Sequence, residues 1–191
     1  HSGAVISSAT DEIIDATGVA NAVLVNNGTL RGGASGTLVK LTGADVSLTN
    51  SGVIEGGSTV LELGSGATLV NSGAIKAGSV SGVALSIDGT GGQITLNDGS
   101  VLLGDIVAAT PITDPATRHQ ITLNIDESKS FAFEFDSDDF TIDVGNDAAR
   151  PVVEGSAHAV SPYINYSIDT LHAMRAAGLR QNFFRETIGT N

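Results

Sequence analysis

The sequence has no cysteine and no tryptophan, only 4% aromatic residues, and 9 basic side chains against 21 acidic ones. Each shortage closes off a class of explanation. Without cysteine there is neither a disulfide framework nor a thiolate metal site. A formal charge of −12 produces a field that repels nucleic acid and anionic membrane, so a DNA- or RNA-binding role is not expected. No apolar run approaches the ~18 residues of a membrane-spanning helix. The opening HSGAVISSATDE has neither the basic stretch nor the apolar stretch of a signal peptide. The chain is therefore expected to be a piece of something longer.

What the sequence has in abundance is glycine, 24 of 191 residues, nearly twice the usual ~7%. Much of it falls in a repeated phrase. VNNGTL, TNSGVI and VNSGAI occur at 25–30, 49–54 and 70–75, and Asn26, Asn50, Asn71 and Asn97 begin units spaced 24, 21 and 26 residues apart. Upstream of the asparagine, Leu24, Leu48 and Leu69 stand two positions back and Ala22, Val46 and Ala67 four back, the period of one face of a strand. After it, Leu30, Ile54 and Ile75 share a column. A third run, TLVKL, TVLEL and VALSI, stacks Val39 with Leu61 and Leu85, and Leu41 with Leu63 and Ile87.

A unit of about 22 residues with three short strands cannot bury its own apolar face, but copies stacked on one another make a continuous core. That pattern predicts an all-β chain, a parallel β-helix whose coils pair about 4.8 Å apart. Asn26, Asn50, Asn71 and Asn97 are then expected to form a turn ladder. Asparagine tolerates the left-handed conformation and its amide can hydrogen-bond along the stack, while the glycine two residues later supplies a positive φ. Arg31, Glu55 and Lys76 fall in one outward column, and Lys40 lies over Glu62 in another. Such alternating charges read as solvated ladders. Beside them Leu38, Val60 and Ala84 read as an outward apolar stripe: either a packing or partner surface, or the apolar share that any surface carries.

From about Gly104 the repeat fades, which divides the chain into coils over 1–110, a β-rich capping region over 111–165 and a C-terminal helix over 166–191. In the capping region ITLNI, FAFEF and FTIDV alternate, directing Ile121, Leu123 and Ile125, then Phe131, Phe133 and Phe135, then Phe140, Ile142 and Val144 inward. The period then changes. Ser167 is a plausible N-cap, Ile168, Leu171, Met174, Leu179 and Phe183 recur at helical spacing, and Gly189 ends the run. Leu171, Met174 and Phe183 join the candidate packing surface, seated on the strands of 119–145 or on a second copy as a homodimer.

The series VNNGTLRGG, LTNSGVIEGG, LVNSGAIKAG followed by GSVLLGDIV resembles the passenger region of bacterial autotransporters, the type V secreted proteins. The resemblance covers residues 19 to about 110. It implies a right-handed β-helix displayed at the surface of a Gram-negative bacterium or released from it, with an autochaperone-like cap. It also implies a linker helix threading the protein's own C-terminal outer-membrane β-barrel, which would be the chief partner, and a host-surface or glycan receptor. The function implied is a non-catalytic stalk and folding scaffold with a share in adhesion. A second reading, part of a β-helical polysaccharide lyase or hydrolase, rests on the carboxylates of Asp136, Asp138 and Asp139. Those lie where a polar hairpin turn is the ordinary expectation. His119, His158 and His172 lack metal spacing, and no phosphate loop or nucleophile elbow is present. No catalytic residue, metal or cofactor is therefore assigned.

Overall fold

The computed structural model describes residues 3–9, 12–79, 81–125, 131–135, 138–144, 153–154 and 158–161. It is all-β, a parallel β-solenoid of about 5 turns. The first coil holds β1 (Val5–Ser7) and β2 (Ile14–Asp15). The next three repeat one order: β3 (Val23–Asn26), β4 (Thr29–Arg31) and β5 (Thr37–Leu41); β6 (Ser47–Asn50), β7 (Val53–Glu55) and β8 (Thr59–Leu63); β9 (Thr68–Asn71), β10 (Ala74–Lys76) and β11 (Val83–Ile87). A further coil follows with β12 (Gln93–Asn97), β13 (Val101–Leu103) and β14 (Asp105–Ala108).

Like strands stack on like. One sheet runs β1-β4-β7-β10-β13, a second β14-β11-β8-β5-β2, and a third begins β3-β6-β9-β12. The register delivers the aliphatic ladders that the spacing predicts: Leu30, Ile54, Ile75 and Leu102 pair in the first sheet, and Val39, Leu61, Leu85 and Ile106 in the second. In the third, Leu24, Leu48, Leu69 and Ile94 lie over one another. Leu48, Leu61, Leu63, Leu69, Ile54, Ile75, Leu85 and Ile87 are buried, while Leu24, on the first full coil, is only partly so. Burying each such side chain contributes on the order of 2 kcal/mol.

The third sheet does not stop near residue 110. After a short 3-10 turn at Pro115–Thr117, capped by the Asp114 carboxylate, β15 (His119–Asn124) pairs with β12 in the same parallel register, and β17 (Phe140–Asp143) pairs with β15. Between them β16 (Phe131–Glu134) leaves the solenoid pattern and pairs antiparallel with β19 (His158–Ser161), which also pairs with β18 (Val153–Glu154). Phe133, Phe135 and Phe140 are buried as a group, with Phe135 5.5 Å from Phe133 and 6.4 Å from Phe140 between ring centres. Among the described residues there is no α-helix. The helix expected over 167–188, with Leu171, Met174 and Phe183, lies outside them.

Two sequence expectations change here. Leu38, Val60 and Ala84 are not an outward stripe: all three are buried in the core. The pairing passes from Thr37↔Thr59 straight to Val39↔Leu61 and is irregular between Val83 and Leu85. The chain bends at each of these positions, so two successive side chains enter the interior and strict alternation fails. Leu38 fills the space under the preceding corner, its Cδ1 2.3 Å from where a side chain on Gly32 would begin.

The second change concerns the asparagine phrase. Asn26, Asn50 and Asn71 do form a buried ladder: Asn26 Nδ2 donates to Asn50 Oδ1 at 2.8 Å, and Asn50 Nδ2 donates to Asn71 Oδ1 at 2.8 Å. Each Oδ1 of the first two also accepts the backbone N–H two residues on, at 3.2 Å. None of these asparagines has a positive φ, however, and neither do Gly28, Gly52 or Gly73. The glycines are required by close approach instead. A Cβ on Gly52 would lie 2.0 Å from the Gly28 carbonyl oxygen, and one on Gly73 2.1 Å from that of Gly52. Those carbonyls accept the N–H groups of Val53 and Ala74 in the next coil. Positive φ angles occur elsewhere, among them a column of Asn21, Asp45, Gly66 and Gly91 at another corner.

Asn97 does not belong to the ladder. Leu96, not Asn97, pairs with Asn71 and is fully buried. Asn97 faces outward, accepts from Asn124 Nδ2 at 3.4 Å, and opens a turn in which its carbonyl accepts the Ser100 N–H and Gly99 takes φ +90°.

Replacing Asn50 by leucine would take the buried Asn71 amide oxygen's bond from the ladder and leave the Asn26 amide and the Gly52 N–H with only their longer bonds to backbone carbonyls. Asn50→Leu is expected to destabilise by about 1–3 kcal/mol, read as a lower urea midpoint with unchanged slope; a wild-type midpoint would rule the ladder out as a stabilising feature. Gly52→Ala is expected to cost about 2–3 kcal/mol through displacement of the neighbouring coil, whereas Ser51→Ala, on the exposed side of the same corner, stays within about 0.5 kcal/mol.

Candidate functional site

The strands of the first sheet end in Arg31, Glu55 and Lys76, which the register places directly over one another. Each is followed by small residues: Gly32-Gly33, Gly56-Gly57 and Ala77-Gly78. The corner cannot carry larger ones. Gly56 has φ +119°, and a Cβ there would lie 2.6 Å from the Gly32 carbonyl oxygen. With no side chains to cover it, the corner remains an open groove of about 420 Å³ running along the stack, walled by Arg31, Glu55, Lys76 and Leu103.

Charge is unevenly matched in this groove. The Arg31 guanidinium donates to Glu55 Oε1 from Nε at 2.6 Å and approaches it from Nη2 at 2.5 Å. Lys76 is next in the column, and beyond it stands Leu103. The column's one carboxylate is taken by Arg31, and Lys76 has no ion pair among the described residues. The backbone offers nothing further to a ligand at three points of the corner, because the N–H groups of Gly32, Gly56 and Ala77 already donate to Glu55, Lys76 and Leu103 carbonyls of the following coil. The groove is suited to holding an anionic group by point charge against a smooth floor.

The second outward column behaves differently from its sequence reading. Lys40 does pair in register with Glu62, but its ammonium is bonded to Glu12 on the preceding coil. That bond, ahead of the smaller pull of Glu62 and Asp15, holds the Lys40 pKa above its ordinary value. Glu62 instead accepts from Thr37 Oγ1 at 2.5 Å. Asp15 is held below the usual carboxylate range, chiefly by the Thr17 hydroxyl and then by the Thr17 N–H. These contacts brace neighbouring coils at their exposed edges.

The acidic cluster separates. Asp138 is exposed, whereas Asp139 is buried and accepts the Ile112 N–H at 2.5 Å; Asp136 lies outside the described residues. Asp88 accepts from the Gly89 N–H in its own turn and from the Thr110 hydroxyl of the following coil. Among the described residues no three His, Asp or Glu side chains converge as metal ligands. One residue carried more than its spacing suggested: His119 is fully buried. Its parity with Ile121 and Leu123 marks it as inward-facing, but the sequence does not say what it meets there.

Because Arg31 and Glu55 are both partly solvated, their pair contributes little to stability. Glu55→Gln is expected to shift the thermal midpoint by no more than the equivalent of about 0.5 kcal/mol; a drop of several kcal/mol would mean that the column is a structural clamp and not a surface ladder. No protein-family model, no curated protein and no solved structure matches this chain.

Proposed function

We propose that the chain is a non-catalytic passenger segment of an autotransporter, displayed on or released from the surface of a Gram-negative bacterium, where it serves as a stalk and folding scaffold. The observation that carries this reading is the repeated coil itself. Three parallel sheets close around a core of aliphatic ladders, and the inward polar groups of Asn26, Asn50 and Asn71 are consumed in bonds between successive coils. Such a body gains rigidity by adding units and carries its variation outside. The winding is right-handed in this reading, the sense favoured for parallel crossover connections. The segment beyond residue 166 is read as the helix that enters the protein's own outer-membrane β-barrel, or that pairs two copies when no barrel is present. Within the same role, the groove beside Lys76 is the face where a host-surface or glycan receptor bearing a carboxylate would meet an ammonium that has no ion pair among the described residues.

The alternative, a segment of a polysaccharide lyase or hydrolase, draws less support. Asp139 is engaged with the Ile112 amide and faces inward while Asp138 faces out, so the two do not present a paired acid and base to a sugar.

The reading is tested by export. Residues 1–191 fused ahead of an autotransporter barrel whose own passenger has been removed are expected to reach the outer face of a Gram-negative cell, where added protease cleaves them without lysis. Retention inside the cell, while a control passenger on the same barrel is displayed, would overturn it.

A further inference from the structure

His119 opens β15 at the point where three successive rungs of the third sheet meet. Its Nδ1 accepts the Gly92 N–H at 3.0 Å. Its own N–H donates to the Asp139 carbonyl at 3.0 Å, and its carbonyl accepts from the Thr141 hydroxyl at 3.3 Å. Alongside, Gly91 N–H donates to the Thr117 carbonyl and Gln120 N–H to the Gly92 carbonyl. The ring lies 5.1 Å from that of Phe140, and the space between it and Gly92 is closed by Ile87. Nε2 is buried with no partner. Since Nδ1 is an acceptor, the ring's single proton sits on Nε2.

We propose that His119 is an acid-sensitive latch that ties β15 and β17 to β12 at neutral pH and lets them go when it is protonated. The chemistry is one proton taken from solvent onto Nδ1. That proton replaces the lone pair that Gly92 N–H now uses, so two donors face each other across the bond and a cation is left in an apolar corner. The charged groups around the ring do not offset this. The Asp139 carboxylate is engaged with Ile112, and Asp88 is exposed and bonded to the Gly89 N–H and the Thr110 hydroxyl. Burial accordingly holds the His119 pKa below its ordinary value, outweighing the upward pull of Asp139 and then Asp88.

The sign follows from linkage. A histidine whose folded pKa is depressed binds its proton more readily once released, so its contribution is intact above the unfolded value of about 6.5 and is lost as pH falls below it. A one-proton linkage weakens the latch by about tenfold per pH unit between the unfolded and folded values.

The test is amide hydrogen exchange on the whole chain from pH 7.5 to pH 5, expressed as protection relative to the unstructured rate at each pH. Protection of Gly91, Gly92 and Gln120, whose N–H groups bond across the latch, is expected to fall by about tenfold per unit below about pH 6.5, while Leu48, Ile54 and Leu69 stay protected. In His119→Gln, whose side-chain carbonyl can accept from Gly92 but cannot titrate, the fall should disappear. A flat profile in the wild type, a uniform loss along the stack, or the same fall in H119Q would overturn the proposal. Should H119Q not fold, the ring nitrogens of wild-type His119 decide by NMR: Nδ1 unprotonated and a folded pKa well under 6.5 are expected, and a value at or above it would be fatal.

Discussion

Everything in this structure depends on one constraint: each coil must hydrogen-bond, rung by rung, to the coil before it and the coil after it at about 4.8 Å. Because the pairing is parallel and in register, a residue's neighbours are its own equivalents one unit away. A side chain is acceptable at a position only if it stacks on its like. Aliphatic residues satisfy that by dispersion and by burial. Asparagine satisfies it by donating to the amide oxygen of the next copy while accepting from the previous one, so a buried polar group is tolerated because the repeat completes its bonds.

The same constraint explains the glycines. At Gly28, Gly52 and Gly73 the carbonyl that receives the next coil occupies the volume a Cβ would need, so the spacing of the backbone, not the local φ, excludes every other residue. At the neighbouring corner the rule produces the groove. Small residues there leave the charged ends of β4, β7 and β10 standing over a bare floor, and the column's odd count of charges leaves Lys76 without an ion pair among the described residues. A feature available to a ligand thus arises as a by-product of how tightly the coils must stack.

Toward the C-terminal side the rule is kept by different means. The asparagine column is continued by Leu96, and the rung above is tied by a ring nitrogen of His119 accepting a backbone N–H. An amide ladder does not change with pH over the physiological range, whereas an imidazole acceptor does. The two ends of the solenoid therefore differ in what can loosen them, although their backbone pairing is the same.

Much of this was legible in the residues. The spacing of Asn26, Asn50 and Asn71, the inward parity of Leu48, Leu69, Ile54 and Leu61, and the column of Arg31, Glu55 and Lys76 all followed from periodicity, because in-register stacking turns sequence repeat directly into spatial neighbourhood. Even Asn97 carried a warning, since Leu96 stands one position before it and not two. Other features were decided only when the coils closed. Leu38, Val60 and Ala84 point inward because the chain bends there, and parity read along a straight strand has no knowledge of a corner. Gly52 is glycine because of a carbonyl 24 residues earlier. His119 is a link because Gly92, 27 residues away, presents an N–H to it. Local periodicity determines which residues face the core of a solenoid; which atoms meet there depends on the exact height and bend of the neighbouring coil, and only the folded stack sets those.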